Sequence, residues 1–131
     1  MQALKKAIIS KFNATAALKS LMPGGLWDTE ADQGSAYPYG VFQIISDVED
    51  VTFSDVKDNI IVQFKIFDNT AKSSVKLDAV LIQLLAAYNR KDLTLTAGSF
   101  VSMQKQNVMQ NKSDNIWEYL VLFRVIIVNE K

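Results

Sequence analysis

Cysteine and histidine are both missing from this chain of 131 residues. Their absence removes disulfide frameworks, thiolate nucleophiles, zinc sites of the usual ligand types and imidazole acid–base chemistry together. Most familiar enzyme mechanisms thereby lose a member. Proline occurs only twice, and no apolar run is long enough for a membrane-spanning helix. The opening "MQALKKAIISKF" has two lysines but no continuous hydrophobic region, so it reads poorly as a signal peptide, and synthesis in the cytosol is expected. Net charge is also lacking: 14 bases balance 14 acids, so the chain has no overall surplus with which to neutralise phosphates, and sequence-specific nucleic-acid binding is not expected.

What is present is a globular composition, with 49% hydrophobic and 21% charged residues in 14.7 kDa. A chain of this size buries roughly two-thirds of the surface it exposes when unfolded, which suffices for one domain over 1–131 without staples. The charges are unevenly spread. Residues 1–27 hold Lys5, Lys6, Lys11 and Lys19 and no acid. Residues 28–59 hold eight acids (Asp28, Glu30, Asp32, Asp47, Glu49, Asp50, Asp55, Asp58) against Lys57, a balance of minus seven. Two readings follow: opposite poles that favour head-to-tail contacts between copies, or a solvated acidic loop.

Leu4, Ile8, Phe12, Leu18 and Leu21 recur near helical spacing and predict one helix over 3–21, ended by "MPGG". "LWD" predicts a short extended touch, and "YGVFQIIS", Tyr39 to Ser46, a strand with Phe42 and Ile44 on one face. The alternation of Ile60, Val62, Phe64 and Ile66 predicts a strand of about eight residues. Between these strands "DVEDVTFSDVKDN" reads as a long, acidic, hairpin-like connection whose apolar members, Val51, Phe53 and Val56, alternate imperfectly. A second helix is expected from Ser73 or Ser74 to Asn89, opened by a serine cap, with Leu77, Val80, Leu81, Leu84, Leu85 and Tyr88 on its apolar stripe. "LTL", "FVSMQKQNVM" and "IWEYLVLFRVIIV" complete the set as about three strands, with "QNKSDN" as a polar loop. The last strand is apolar on both faces, so it is either central in a sheet covered on both sides or partly covered by another subunit. The expected architecture is α+β: a mainly antiparallel sheet of about four to five strands with two helices on one face, in the order helix, strand, strand, helix, strands.

Chemistry-bearing patterns are scarce. "MPGGLW" follows a helix and lacks the lysine-serine ending of a phosphate loop. Asp47, Glu49 and Asp50 lack the spacing, glycine and terminal glutamate of a calcium loop. Neither a metal nor another cofactor is expected, and no ordered catalytic constellation is present. Arg90 with Lys91 reads as a helix C-terminal pair that complements the dipole. The segment "AYPYGVF" allows three roles, as ligand platform, partner-binding edge or stiff strand entry. Pro38 restricts Tyr37 to extended geometry, Gly40 permits close approach, and Tyr39 packing on Trp27 would explain the segment structurally.

"GGLWD", a loop of small and polar residues, "AYPYGVF", a strand pair, an amphipathic helix ending before "LTL", and the closing "WEYLVLFRV" together resemble the tail completion (tail terminator, head-tail joining) proteins of long-tailed bacteriophages and prophages. The order of elements carries this resemblance more than any one residue. The acidic connection from Asp47 to Asn59 and the polar segment around Gln104 to Asn115 depart from the pattern. The resemblance implies a structural virion protein without catalysis or cofactor, made in the host bacterial cytoplasm. Its copies would form a ring, commonly hexameric, on the head-proximal end of the tail tube. That ring would end tube growth, dock to the head connector or stopper protein, and let DNA pass. The candidate contact surface to another subunit or to the tail tube protein comprises Asp47, Glu49, Asp50, Phe53, Asp55, Lys57 and Asp58. Trp27, Tyr37, Pro38, Tyr39 and Gly40 form a candidate fold-determining edge. The competing readings are a small partner- or ligand-binding module built on Trp27, Tyr37 and Tyr39, and another neck or minor tail component.

Overall fold

A computed structural model describes residues 2–32, 34–51, 55–69, 74–95, 99–113 and 116–130. The elements are α1 (Gln2–Ala14), α2 (Ala16–Leu21), β1 (Leu26–Asp28), β2 (Tyr39–Val51), β3 (Asp55–Asp68), α3 (Val75–Tyr88), β4 (Ser99–Ser113) and β5 (Ile116–Glu130). They build one five-stranded mixed sheet in the order β1-β2-β3-β5-β4 with helices packed on it. β1 joins β2 in parallel, and the other three pairs are antiparallel.

The single helix expected over 3–21 is instead broken at Thr15. Leu4, Ile8 and Phe12 follow one another at four-residue spacing and are buried along α1. Continued as one uninterrupted helix, Leu18 would project about 80° from the centre of that stripe at Ile8. The break redirects the chain so that Leu18 is also fully buried, while Thr15 Oγ1 donates to the Lys11 carbonyl at 2.7 Å and closes the end of α1. In α3, Leu77, Val80, Leu84 and Tyr88 are buried as the apolar stripe requires. Ser74 occupies the cap position but makes no capping bond; its Oγ lies 3.4 Å from Asp78 Oδ2. Ser73 and the expected turn at Ala97 and Gly98 fall outside the described residues.

Two strand lengths expected from the sequence are corrected. The acidic, hairpin-like connection is a continuation of both strands: β2 and β3 remain paired from Tyr39↔Phe67 out to Val51↔Val56, with one bulge at Ile45. Of the segment expected as a polar loop, residues 110–113 are the last of β4, paired with β5 as far as Ser113↔Ile116, and 114–115 fall outside the described residues. Both errors have the same cause. Apolar alternation marks where a strand crosses a core, whereas pairing continues wherever a neighbour offers main-chain groups. The 14 residues of β3 therefore span about 46 Å, well past the helix layer. "LTL" forms no strand, so two strands follow α3 rather than three.

The core lies between the helices and one sheet face. Phe64 stands at its centre, with ring centroids 5.1 Å from Tyr88, 5.4 Å from Phe123 and 6.0 Å from Phe42. Tyr88 spans the helix layer, and its hydroxyl donates to the Ile8 carbonyl at 2.7 Å in a buried bond between α3 and α1. Tyr88→Phe removes that bond between the two helices, leaving the carbonyl only its helical partner, and is expected to cost about 1 kcal/mol in denaturant unfolding. The pH dependence gives a second readout. Burial raises the Tyr88 pKa above its ordinary value of 10.0, so the native state holds the proton more tightly than the unfolded chain. Its contribution is complete below pH 10 and is lost as the pH rises further, a decline the phenylalanine variant should show less steeply.

β5 lies centrally between β3 and β4. Val121, Phe123, Val125 and Ile127 are buried under the helices, while Leu120, Leu122, Ile126 and Val128 on the reverse face are only half-buried. Among the described residues the helices cover one side of the sheet, so of the two expectations for β5 the strand is central but layered on one side only.

Candidate functional site

The acidic residues singled out from the sequence are brought together on the distal hairpin. Beyond the Ile45 bulge the register sets Asp47 opposite Ile60, Glu49 opposite Asp58 and Asp50 opposite Lys57. Strand alternation puts Asp47, Glu49 and Asp58 on the helix-side face and Asp50 and Lys57 on the reverse. Partial burial, then the neighbouring charge and hydrogen bond of Asp58, then the charge of Glu49, raise the Asp47 pKa above its ordinary range. Such crowding of like charges stabilises nothing within one copy, since facing carboxylates repel. Phe53 lies outside the described residues; Asp55 ends β3 opposite Glu130 in the register. Ile45, Val48 and Val51 are 47%, 62% and 49% exposed, so the hairpin presents apolar side chains among its acids.

The aromatic entry to β2 is built differently from the sequence expectation. The Tyr37-Pro38 peptide is cis and Pro38 is buried. Tyr39 meets Tyr37 at 5.3 Å and Phe67 at 5.1 Å between centroids, so its ring partners are these and not Trp27. Trp27 instead donates its indole N–H to the Gly24 carbonyl at 2.8 Å, and Gly24 N–H donates to the Pro38 carbonyl at 3.1 Å. Here β2 is interior, and the sheet edge is β1. Gly40 allows a close approach: a Cβ there would come within 2.7 Å of Met22 Cε and 3.2 Å of Ile66 Cγ2, so those side-chain ends would have to shift. Tyr37, Tyr39, Val41, Lys65 and Phe67 line a groove of about 470 Å³ under the loop that carries Glu30 and Asp32.

A second polar cluster was invisible in the sequence. The Tyr119 hydroxyl donates to Asp78 Oδ1 and accepts from Gln110 Nε2 at 2.9 Å. Burial, then the hydrogen bond to Asp78 and its charge, push the Tyr119 pKa up to about 12. The pair is 41 residues apart in the chain, and no local pattern announces it. Tyr119 is a neutral donor tying α3 to β5, and the arrangement supplies no nucleophile or general base. Among the described residues no three acidic side chains converge as a metal site requires, and no helix is long and apolar enough to cross a membrane.

No protein-family model matches the chain, and a search of curated proteins yields no significant match. Solved structures do match. A chain of the virion of a native gene transfer agent particle superposes with a TM-score of 0.81 at 15% identity, covering 99% of this chain and 96% of that one. The chain carries the fold of a virion protein. The bacteriophage SPP1 gp17 protein is similar at a TM-score of 0.56 and 20% identity, over 95% of this chain and 88% of that one. A third solved protein reaches a TM-score of 0.62 at 10% identity, over 99% and 94% of the two chains. These likenesses span nearly the whole of both partners, so the shared feature is the complete α+β arrangement rather than a common hairpin or helix pair.

Proposed function

We propose that this protein is a structural component of a tailed-phage-type virion. In this reading its copies close the head-proximal end of the tail tube as a ring, end tube growth, and offer the joining surface through which DNA passes. The observation that carries the reading is the near full-length fold likeness to a chain of a gene transfer agent virion at a TM-score of 0.81. The likeness to bacteriophage SPP1 gp17 and the sequence resemblance to tail completion proteins point the same way. The physical design fits. A ring needs two different patches that meet head to tail, and unequal charge on two ends of one body specifies such a contact at little cost in stability. Carboxylates near a channel would also keep passing DNA from adhering. The proposal needs no catalysis and no cofactor; its partners are further copies, the tail tube protein and a head connector or stopper.

The test is deletion of the gene from a producing phage or prophage, followed by negative-stain microscopy. Overlong tubes and unattached heads are expected, and normal-length tails joined to heads would refute the reading. Within it, Asp47, Glu49 and Asp50 contribute to the contact surface with the next subunit or the tube. Reversing all three to lysine inverts that patch and is expected to lower infectious titre about 100-fold or more with unchanged folding by circular dichroism. An unchanged titre would remove the hairpin from the assembly surface. One observation favours the competing ligand-binding module, namely the Tyr37, Tyr39 and Phe67 groove of about 470 Å³, a size suited to a small molecule. Ligand-dependent thermal shifts with intact tail assembly in the deletion strain would select that alternative.

A further inference from the structure

The sheet has two outer flanks, β2 beyond β1 and β4, and each is covered over part of its length. β1 covers β2 at residues 40–42, and Thr29 N–H extends the cover by donating to the Phe42 carbonyl at 2.8 Å. From 46 to 51 no described residue pairs with that outer edge. At the opposite edge, the segment after α3 closes the middle of β4. Arg90 N–H donates to the Met103 carbonyl at 2.8 Å, and Lys105 N–H donates to Asn89 Oδ1 at 2.8 Å. Residues 106–111 of β4 are open on that side among the described residues. The open part of β2 lies at the hairpin end of the sheet and the open part of β4 at the other end. Both obstructions therefore impose a stagger of the same sense on copies that join edge to edge.

We infer that residues 106–111 of β4 in one copy add to residues 46–51 of β2 in the next as antiparallel strands, with Val48 opposite Met109. The inference rests on the ring reading above and names its seam. Direction supports it first. β2, β3, β5 and β4 alternate in sense across the sheet, so β2 and β4 run oppositely. Copies related by rotation about an axis along the sheet then meet antiparallel without inversion.

Charge excludes the symmetric pairing of two β2 edges. The open part of β2 carries Asp47, Glu49 and Asp50, whereas β4 has Lys105 and Lys112 and no acid. Two β2 edges facing each other would set carboxylates side by side, while β2 against β4 does not. The register is chosen by exposed apolar side chains. Val48 is 62% exposed and Met109 is 46% exposed. The register sets Val48 level with Asn59 and Ile126, and Met109 level with Leu120 and Lys65, so both lie on the face away from the helices. Pairing them buries both in one contact.

Closure is the third support. Within one copy Val48 is level with Ser102, through Asn59 and Ile126. Bringing Met109 to that level moves the neighbour seven positions along β4, one of them the bulge at Gln106, or about six residues and about 20 Å. Spread over four strands spaced about 4.8 Å apart, this shear tilts the strands by about 45°, at the upper end of the range in which sheets close on themselves.

The chain contains no cysteine, which makes the seam directly testable. The purified Val48→Cys/Met109→Cys double variant is treated with a mild oxidant or a short bis-thiosulfonate cross-linker. The two positions lie on opposite edges of one sheet, so links form only between copies. A ladder of covalent oligomers is expected, about tenfold or more above an Ile82→Cys/Met109→Cys control, because a seam holds the thiols at high effective concentration. Mixing the two single variants should stop at a covalent dimer. A ladder no stronger than the control, or Met109→Cys alone dimerising as well as the mixture, overturns the inference. Microscopy separates the two levels of argument. Closed rings in the cross-linked product support both. A ladder of open chains keeps the seam but counts against the ring, and rings from unmodified protein whose double variant does not cross-link keep the ring but refute the seam.

Discussion

Gly24→Ala is expected to destabilise this protein by about 3 kcal/mol or more, enough to remove a large part of a typical domain's stability. A Cβ built at Gly24 would sit 1.8 Å from the Ala36 carbonyl oxygen and 2.6 Å from Tyr39 Cβ. Neither atom is the free end of a flexible side chain, so relief requires the backbone itself to move. That backbone is the crossing that holds the sheet edge. Gly24 N–H donates to Pro38, Trp27 donates to the Gly24 carbonyl, and Gly40 N–H donates to the Gly25 carbonyl. Pushing the two segments apart breaks these bonds together and withdraws β1 from β2. Urea denaturation followed by tryptophan fluorescence measures the effect, with Gly34→Ala as the control. Gly34 has a positive φ of 82° but nothing within 4 Å of its Cβ position, so alanine there meets only conformational strain, about 1 kcal/mol. Equal losses at the two glycines would show that close approach is not what Gly24 provides.

Phe64→Ala should be at least as damaging, at about 3–5 kcal/mol. Phe64 is fully buried and touches three other aromatic rings, from β2, β5 and α3. Its removal leaves a cavity lined by rings that cannot all collapse inward, because Tyr88 is held by its bond to Ile8 and Phe42 and Phe123 are held by strand pairing. The edge-to-face geometry with Phe123, with planes at 76°, is lost as well. Phe64→Leu refills much of the volume and should cost clearly less. Gln63→Ala, one residue away on the opposite face, should stay within about 0.5 kcal/mol of the parent. A Phe64→Ala loss no larger than that of Gln63→Ala would mean that the aromatic cluster is not the centre of the fold.

These two positions differ in how far the sequence announced them. Phe64 belongs to the alternation Ile60, Val62, Phe64 and Ile66, and every member is buried. Gly24 stood in "MPGG" as an ordinary helix stop, and nothing local reveals that its neighbour in space is Ala36. The same contrast runs through the candidate assembly surface. The acids of the hairpin were conspicuous as a charge imbalance, but their place on paired strands was not, because Asp and Glu weaken the alternation that identifies a strand. The segment with Lys105 and Met109 stood out only as a polar strand and a departure from the family pattern, not as an open edge. Their segment is polar, and an edge is defined by what fails to pair with it.

Amino-acid order alone determined the class of this protein, because periodicity records which residues must leave water. It yielded an α+β chain without thiol or imidazole chemistry, an apolar stripe on α3, a last strand apolar on both faces and a segregated charge. Tertiary structure alone decided where the sheet ends. The break at Thr15 that turns Leu18 inward, the Tyr88 bond to Ile8, and the partly covered edges of β2 and β4 all depend on partners distant in the chain. Burial is written into each residue's own side chain, whereas a vacant hydrogen-bonding edge exists only once every other strand has taken its place.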